Sequence, residues 1–64
     1  MIILDAVEMM DRGYHVRRPH WPSGTHLMQE EWNGINVACK VELDKKEMYN
    51  FPLVDVIADD WMKQ

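Results

Sequence analysis

The sequence has little of what usually staples a small domain. Cys39 is its one cysteine in 64 residues, which excludes an intrachain disulfide. Its three histidines, His15, His20 and His26, are separated by five and six residues. Those gaps match no zinc signature, so surface or half-buried imidazoles are expected and no metal site is read. Ser23 is the only serine and lies between Pro22 and Gly24 in a turn-forming stretch, so no Ser-His-Asp arrangement is legible. The longest apolar run near the start is Met1 to Leu4, too short for the hydrophobic region of a signal peptide or for a membrane span. Basic side chains are scarce as well: 7 Lys and Arg stand against 11 Asp and Glu, for a net charge of −4. Phosphate neutralisation dominates nucleic-acid affinity, so a general nucleic-acid binder is excluded. A lone thiol without an export signal fits a reducing cytoplasm.

What the chain does have is apolar content, 47% of residues, and three tryptophans. Together with 28% charged residues these argue against disorder. A single domain over residues 1–64 is expected. A chain of this length buries only about 60% of its unfolded surface, which leaves stability marginal. Without disulfide or metal, a partner subunit is the remaining support, and a homo-oligomer, dimer or tetramer, is expected.

Hydrophobic spacing predicts a helix over Ile3 to Arg12, with Ile3, Ala6, Val7 and Met10 on one face. Gly13 stands at the position after a helix end that favours positive φ. Tyr14 to Arg18 reads as a strand, ended by Pro19 and Pro22. A weaker strand follows over Thr25 to Trp32, then Asn33-Gly34, the strongest two-residue hairpin signal. In the next strand Ile35, Val37, Cys39, Val41 and Leu43 alternate with Asn36, Ala38, Lys40, Glu42 and Asp44. The odd-numbered side chains are expected to face the core, with Cys39 a structural, unreactive thiol and Lys40 in water. Asp44 to Glu47 reads as a polar turn and Met48 to Phe51 as a short edge strand. A short helix over Pro52 to Asp59 should turn Leu53, Val56 and Ile57 inward. Asp55, Asp59 and Asp60 then read as solvated acids at a helix end, and Asp60 to Met62 as a terminal strand. The fold class is α+β: one N-terminal helix on a small antiparallel sheet of three to five strands, with a short C-terminal helical turn.

One segment combines chemistry and rigidity. Val16-Arg17-Arg18-Pro19-His20-Trp21-Pro22 packs two guanidiniums, an imidazole and an indole into a rigid, proline-flanked stretch beside a turn. Arginine is the bidentate phosphate reader, and an indole offers a face on which a base can stack. The competing reading is a core tryptophan with solvated arginines.

The string Asp5-Ala6-Val7, then Gly13, then Val16-Arg17-Arg18-Pro19-His20-Trp21, resembles the opening of a small phage and prophage family. The ending Asp55-Val56-Ile57-Ala58-Asp59-Asp60-Trp61 is similar to the closing "D-I-x-A-x-D-W" of the same family. The resemblance covers Met1 to Trp21 and Asp55 to Gln64; between them the chain is shorter than is usual there. The family is domain of unknown function 2829, whose best-understood members are the Thoeris anti-defence two proteins. These are sponges that hide cyclic ADP-ribose-type or cyclic-nucleotide immune signals from bacterial effectors, and a relative acts as an anti-CRISPR protein.

The resemblance implies a non-enzymatic phage protein in the host cytoplasm, assembled as a homo-oligomer with pockets between subunits, needing no cofactor. It places Arg18 and Trp21 at the motif Arg and Trp, and Asp60 and Trp61 at the closing pair. On this reading Arg17 or Arg18 holds phosphate, Trp21 stacks on the base and His20 lines the rim. Replacing Trp21 or Arg18 by Ala is then expected to weaken ligand binding more than folding. The alternatives are a protein-binding inhibitor, whose acidic surface meets a basic partner, and an enzyme that degrades the signal, for which no nucleophile or general-base pair is legible.

Overall fold

A computed structural model describes all residues from Met1 to Gln64. The elements run α1 (Ile3–Asp11), β1 (Val16–Arg17), β2 (His26–Trp32), β3 (Ile35–Glu42), β4 (Lys45–Met48), α2 (Leu53–Val56) and β5 (Met62–Lys63). The strands form one antiparallel sheet in the order β4-β3-β2-β1-β5. This is the expected α+β architecture, with α1 on one face of the sheet. No helix is long and apolar enough to cross a membrane.

The helix and the first hairpin form where the sequence places them. Gly13 takes φ +92°, closing α1 by a left-handed residue. Asn33 and Gly34 take φ +52° and +80°, the pair of positive values that a two-residue turn needs to match strand twist. The face of α1 is rotated from the expected one. Ala6 and Met10 are buried and Ile3 and Met9 pack on the core, while Val7 is 45% exposed.

The largest correction concerns β3. Leu27 on β2 pairs with Val16 on β1, and both are fully buried under α1. Leu27 also pairs with Lys40, so the even-numbered residues of β3, Asn36, Ala38 and Lys40, share the covered face. Ile35, Val37, Cys39 and Val41 lie on the opposite face, beside Met28 and Trp32 of β2 and Met48 of β4. Alternation reveals that the two faces differ, but not which one a helix will cover. Here the covered face is filled from outside the sheet. Trp21 and Trp61, both from segments that flank strands, join Ala6, Met10, Val16 and Leu27 in the core. Lys40 fits beneath them by laying its ammonium 4.9 Å from the Trp21 ring centroid and 5.4 Å from that of Tyr49. Cys39 is buried as expected, but on the outer face, where burial pushes its thiol pKa up.

The second hairpin also shifts. Glu42 pairs with Lys45, so Leu43-Asp44 is the turn and β4 begins inside the stretch expected to be a loop. Leu43 is 96% exposed and held at φ +51°, a conformation that costs a branched side chain free energy. The C-terminal helix shortens to one turn and turns inside out. Leu53 and Ile57 are each 73% exposed, Val56 also faces solvent, and the buried residue is Asp55. Pro52 precedes the helix in an extended conformation, so the helix starts at Leu53.

Two substitutions test this register by denaturant unfolding of dilute protein. Leu27→Ala should cost about 2–5 kcal/mol, the usual loss for a truncated core leucine. Ile35→Asp, on the uncovered face, should cost less than about 1 kcal/mol. Comparable losses would place α1 on the wrong side of the sheet. Leu43→Gly should stabilise the fold, because glycine enters the left-handed region without the Cβ penalty.

Candidate functional site

The two ends of the chain converge. The loop with Pro19 and Pro22 carries Arg18 and Trp21 from β1 towards β2, while α2 places Asp55, and the segment after it Asp60 and Trp61, on the same corner. The Arg18 guanidinium is held from two sides: Nη1 donates to Asp55 Oδ1 at 2.5 Å, and Nε to Asp60 Oδ1 at 2.5 Å. Its Nη2 reaches Asp60 Oδ2 at 3.4 Å, and its central carbon lies 5.8 Å from the Trp61 ring centroid. The second oxygen of Asp55 accepts the Tyr49 hydroxyl, and the Asp55 carbonyl accepts the Trp61 indole N–H at 2.9 Å. Side-chain exposure is 12% for Arg18 and 5% for Asp55. A carboxylate this buried is tolerated because both its oxygens and its carbonyl have donors.

The electrostatics follow the hydrogen bonds. Asp60 is held below the ordinary carboxylate range, chiefly by the hydrogen bond from Arg18, and Arg18 is raised in return. Tyr49 is driven far above the ordinary phenol range by burial and by the Asp55 carboxylate that accepts its hydrogen bond. The aromatic rings close the corner. Trp21 meets Trp61 edge-on at 5.6 Å and Tyr49 at 5.9 Å, and Phe51 meets Trp61 at 6.0 Å. The Met1 amino group donates to the carbonyls of Asp59 and Trp61, at 3.1 and 2.7 Å.

Of the expected site residues, Arg18, Trp21, Asp60 and Trp61 therefore come together, but on one another. Trp61 is 2% and Trp21 9% exposed, so neither protomer ring offers a free face for stacking. Arg18 spends its donors inside the corner. His20 sits at its rim, edge-on to Trp21 at 6.4 Å. Arg17 points to the other face of the sheet, with its guanidinium donating to the carbonyls of Trp21 and Arg18. It belongs to none of the five ion pairs.

Two members of the corner were not among the expected site residues, Asp55 and Tyr49. The sequence places Asp55 among solvated acids, yet it is the most buried acid of the chain. The signal was its place at the head of the closing motif. Tyr49 had none, since it lies between strand and helix where no periodicity marks a side. No three His, Cys, Asp or Glu side chains are placed to share a metal ion.

Beside Arg17 a second group assembles. Arg17 and His26 pair across β1 and β2 in the register set by Val16 and Leu27, and the His15 and His26 rings stack at 4.4 Å, within 3° of parallel. Burial, with the neighbouring His26, holds the His15 imidazole below its ordinary value, so it is easily neutral. These three side chains share the sheet face that α1 leaves open.

Arg18→Ala should cost about 3–5 kcal/mol, since it strands the buried Asp55 charge, and Trp21→Ala about 3–5 kcal/mol as a core truncation. Unfolding midpoints of both variants decide between this role and a peripheral ligand site. Acid should act here too. Asp60 has a lowered folded pKa, so its stabilisation is present above the unfolded value of about 3.9 and fades as pH falls through the folded one. Asp60→Asn should flatten that acid limb of the stability curve.

No family model matches the chain, and no curated protein or solved structure shows significant similarity to it.

Proposed function

We propose that this chain is a non-enzymatic binding protein that works as a homo-oligomer and sequesters a phosphate-bearing cyclic nucleotide or ADP-ribose-type signal between its protomers. The observation that carries the reading is the open sheet face. It bears a stripe of apolar side chains, Trp32, Ile35, Val37, Val41 and Met48, that one protomer leaves without cover. At one end of the same face stand Arg17, His15 and His26, basic groups with no carboxylate partner in an acidic chain. A second copy covering the stripe would desolvate that end, and a phosphate there would supply the missing negative charge. The phosphate-holding role then falls to Arg17 rather than Arg18, whose charge is already neutralised. The similarity of both chain ends to the sponge family supports the same function. The convergence of Arg18, Trp21, Asp60 and Trp61 explains why two distant motifs occur together: each needs the other to fold.

A second reading, a protein-binding inhibitor of a bacterial defence or host factor, draws on α2. Leu53, Val54 and Ile57 are 73%, 65% and 73% exposed on one helical turn, an apolar knob beside an acidic surface.

Mass spectrometry of small molecules released by heat separates the readings, using protein purified from cells with active nucleotide-signalling immunity. Intact nucleotide is the expected result. A degradation product would make the chain an enzyme, and nothing released would leave the inhibitor ahead. Light scattering at micromolar concentration should give at least twice the 7.6 kDa chain mass. Val37→Asp should return the chain to a monomer, and Arg17→Ala should weaken nucleotide binding about tenfold or more through loss of a charge-assisted contact. Because a protonated imidazole attracts phosphate and the His15 pKa is lowered, affinity should rise as pH falls below the ordinary histidine value of about 6.5.

A further inference from the structure

A separate cleft lies on the covered face of the sheet, beyond the end of the core. It has a volume of about 210 Å³, with Val7 and Met10 of α1 and Phe51 as walls and Ala38 as floor. The cleft exists because of the residues β2 and β3 place there. Ala38 is the one apolar side chain that β3 sends to this face, and its single methyl fills little of the space beside α1. Gln29 pairs with Ala38 and Asn36 with Glu31, so the two carboxamides are diagonal neighbours across the strands and both line the cleft. The side-chain hydrogen bonds of β2 and β3 run through His26, Glu30 and Trp32, and neither carboxamide takes part in one.

We propose that this cleft binds a single uncharged heteroaromatic ring, with Gln29 and Asn36 reading a polar edge of the ring while Val7, Met10 and Phe51 hold its faces. Each part of the assignment has a physical ground. No charged side chain lines the cleft, so a phosphate or carboxylate inside it would lose its hydration without gaining a partner. Drug-sized ligands occupy roughly 300–1,000 Å³, so this volume takes one ring system and leaves any substituent in solvent. Methionine sulfur and a phenylalanine edge favour an aromatic occupant over an aliphatic one. A carboxamide presents a donor and an acceptor side by side, the pattern that pairs with an amino group next to a ring nitrogen. A purely hydrocarbon ring would leave both carboxamides unpaired, so selectivity favours the polar-edged ring. The proposal does not rest on the nucleotide reading, because the cleft is remote from Arg17 and the stacked histidines and lies on the other face of the sheet.

The test is an NMR titration of the isotope-labelled full chain with cytosine, an uncharged ring carrying an amino group beside a ring nitrogen, and with benzene as the ring without a polar edge. Saturable shifts centred on the amides of Asn36, Val37 and Ala38 are expected for cytosine, with benzene at least about fivefold weaker. Asn36→Ala changes an exposed residue and should leave the fold intact. It should weaken cytosine about fivefold and leave benzene unchanged. Ala38→Leu, which raises the floor, should weaken both rings more than about tenfold while resonances of the Arg18 corner stay in place. Absence of saturable cytosine shifts overturns the proposal. So does benzene binding as tightly as cytosine, or cytosine binding that ignores Asn36→Ala. Each of these outcomes is independent of what heat releases from the purified protein.

Discussion

One cation between two carboxylates holds this fold closed. Arg18 reaches Asp55 and Asp60, residues 37 and 42 positions further along the chain, and lies against Trp61. A domain this small cannot bury enough side chains from its regular elements to close itself. The long-range contacts that do close it come from segments between elements: the proline loop with Trp21, the Tyr49–Phe51 stretch, and the chain end with Trp61. The ion pairs set the position of those rings rather than adding much stability of their own, since desolvating Arg18 and Asp55 offsets most of their attraction. What the pairs contribute is a single arrangement. A guanidinium with three directed donors in use accepts few others, and the rings packed edge-on around it inherit that geometry.

This dependence explains what was legible in the sequence and what was not. α1, the Asn33-Gly34 hairpin and the alternating β3 follow local rules, and local rules found them. The face of β3 did not follow, because alternation is symmetric under exchange of faces. Only the knowledge that Trp21 and Trp61 arrive from loops would have shown that Ala38 and Lys40, not Val37 and Val41, lie under cover. α2 failed for a related reason. Its apolar residues suggested an inward face, yet the bond from Asp55 to Arg18 outweighs them and rotates Leu53 and Ile57 into solvent. In the candidate site, the residues were found and their company was not. Arg18, Trp21, Asp60 and Trp61 are neighbours, but they satisfy one another. Arg17, one residue from Arg18 and on the opposite side of the strand, is the arginine that escapes.

The allocation of side chains has a consequence for how the protein can bind anything. Its strongest polar and aromatic groups are enclosed, and much of its aliphatic content is outside, on the open sheet face and on α2. An aliphatic sheet face gives area without direction, which suits contact with another protein surface better than recognition of a small molecule. Direction has to come from polar groups set beside that apolar surface and outside the five ion pairs. Those are Arg17 with the stacked His15 and His26 on one face, and Gln29 with Asn36 on the other. The first group is charged or chargeable and open to anions; the second is neutral and set at the edge of an apolar cleft.

The two groups also differ in what assembly would do to them. A second copy laid on the open face would bring Arg17, His15 and His26 into lower dielectric, where an isolated cation is costly and an anion beside it strongly held. His15, whose pKa burial and His26 already lower, would resist protonation further unless an anion entered with it. Assembly and anion binding on that face are therefore coupled in sign: each lowers the cost of the other. The cleft over Ala38 lies on the face that α1 covers, so the same assembly neither builds nor removes it. Were copies to meet on the open face, binding there would depend on protein concentration, while binding in the cleft would not.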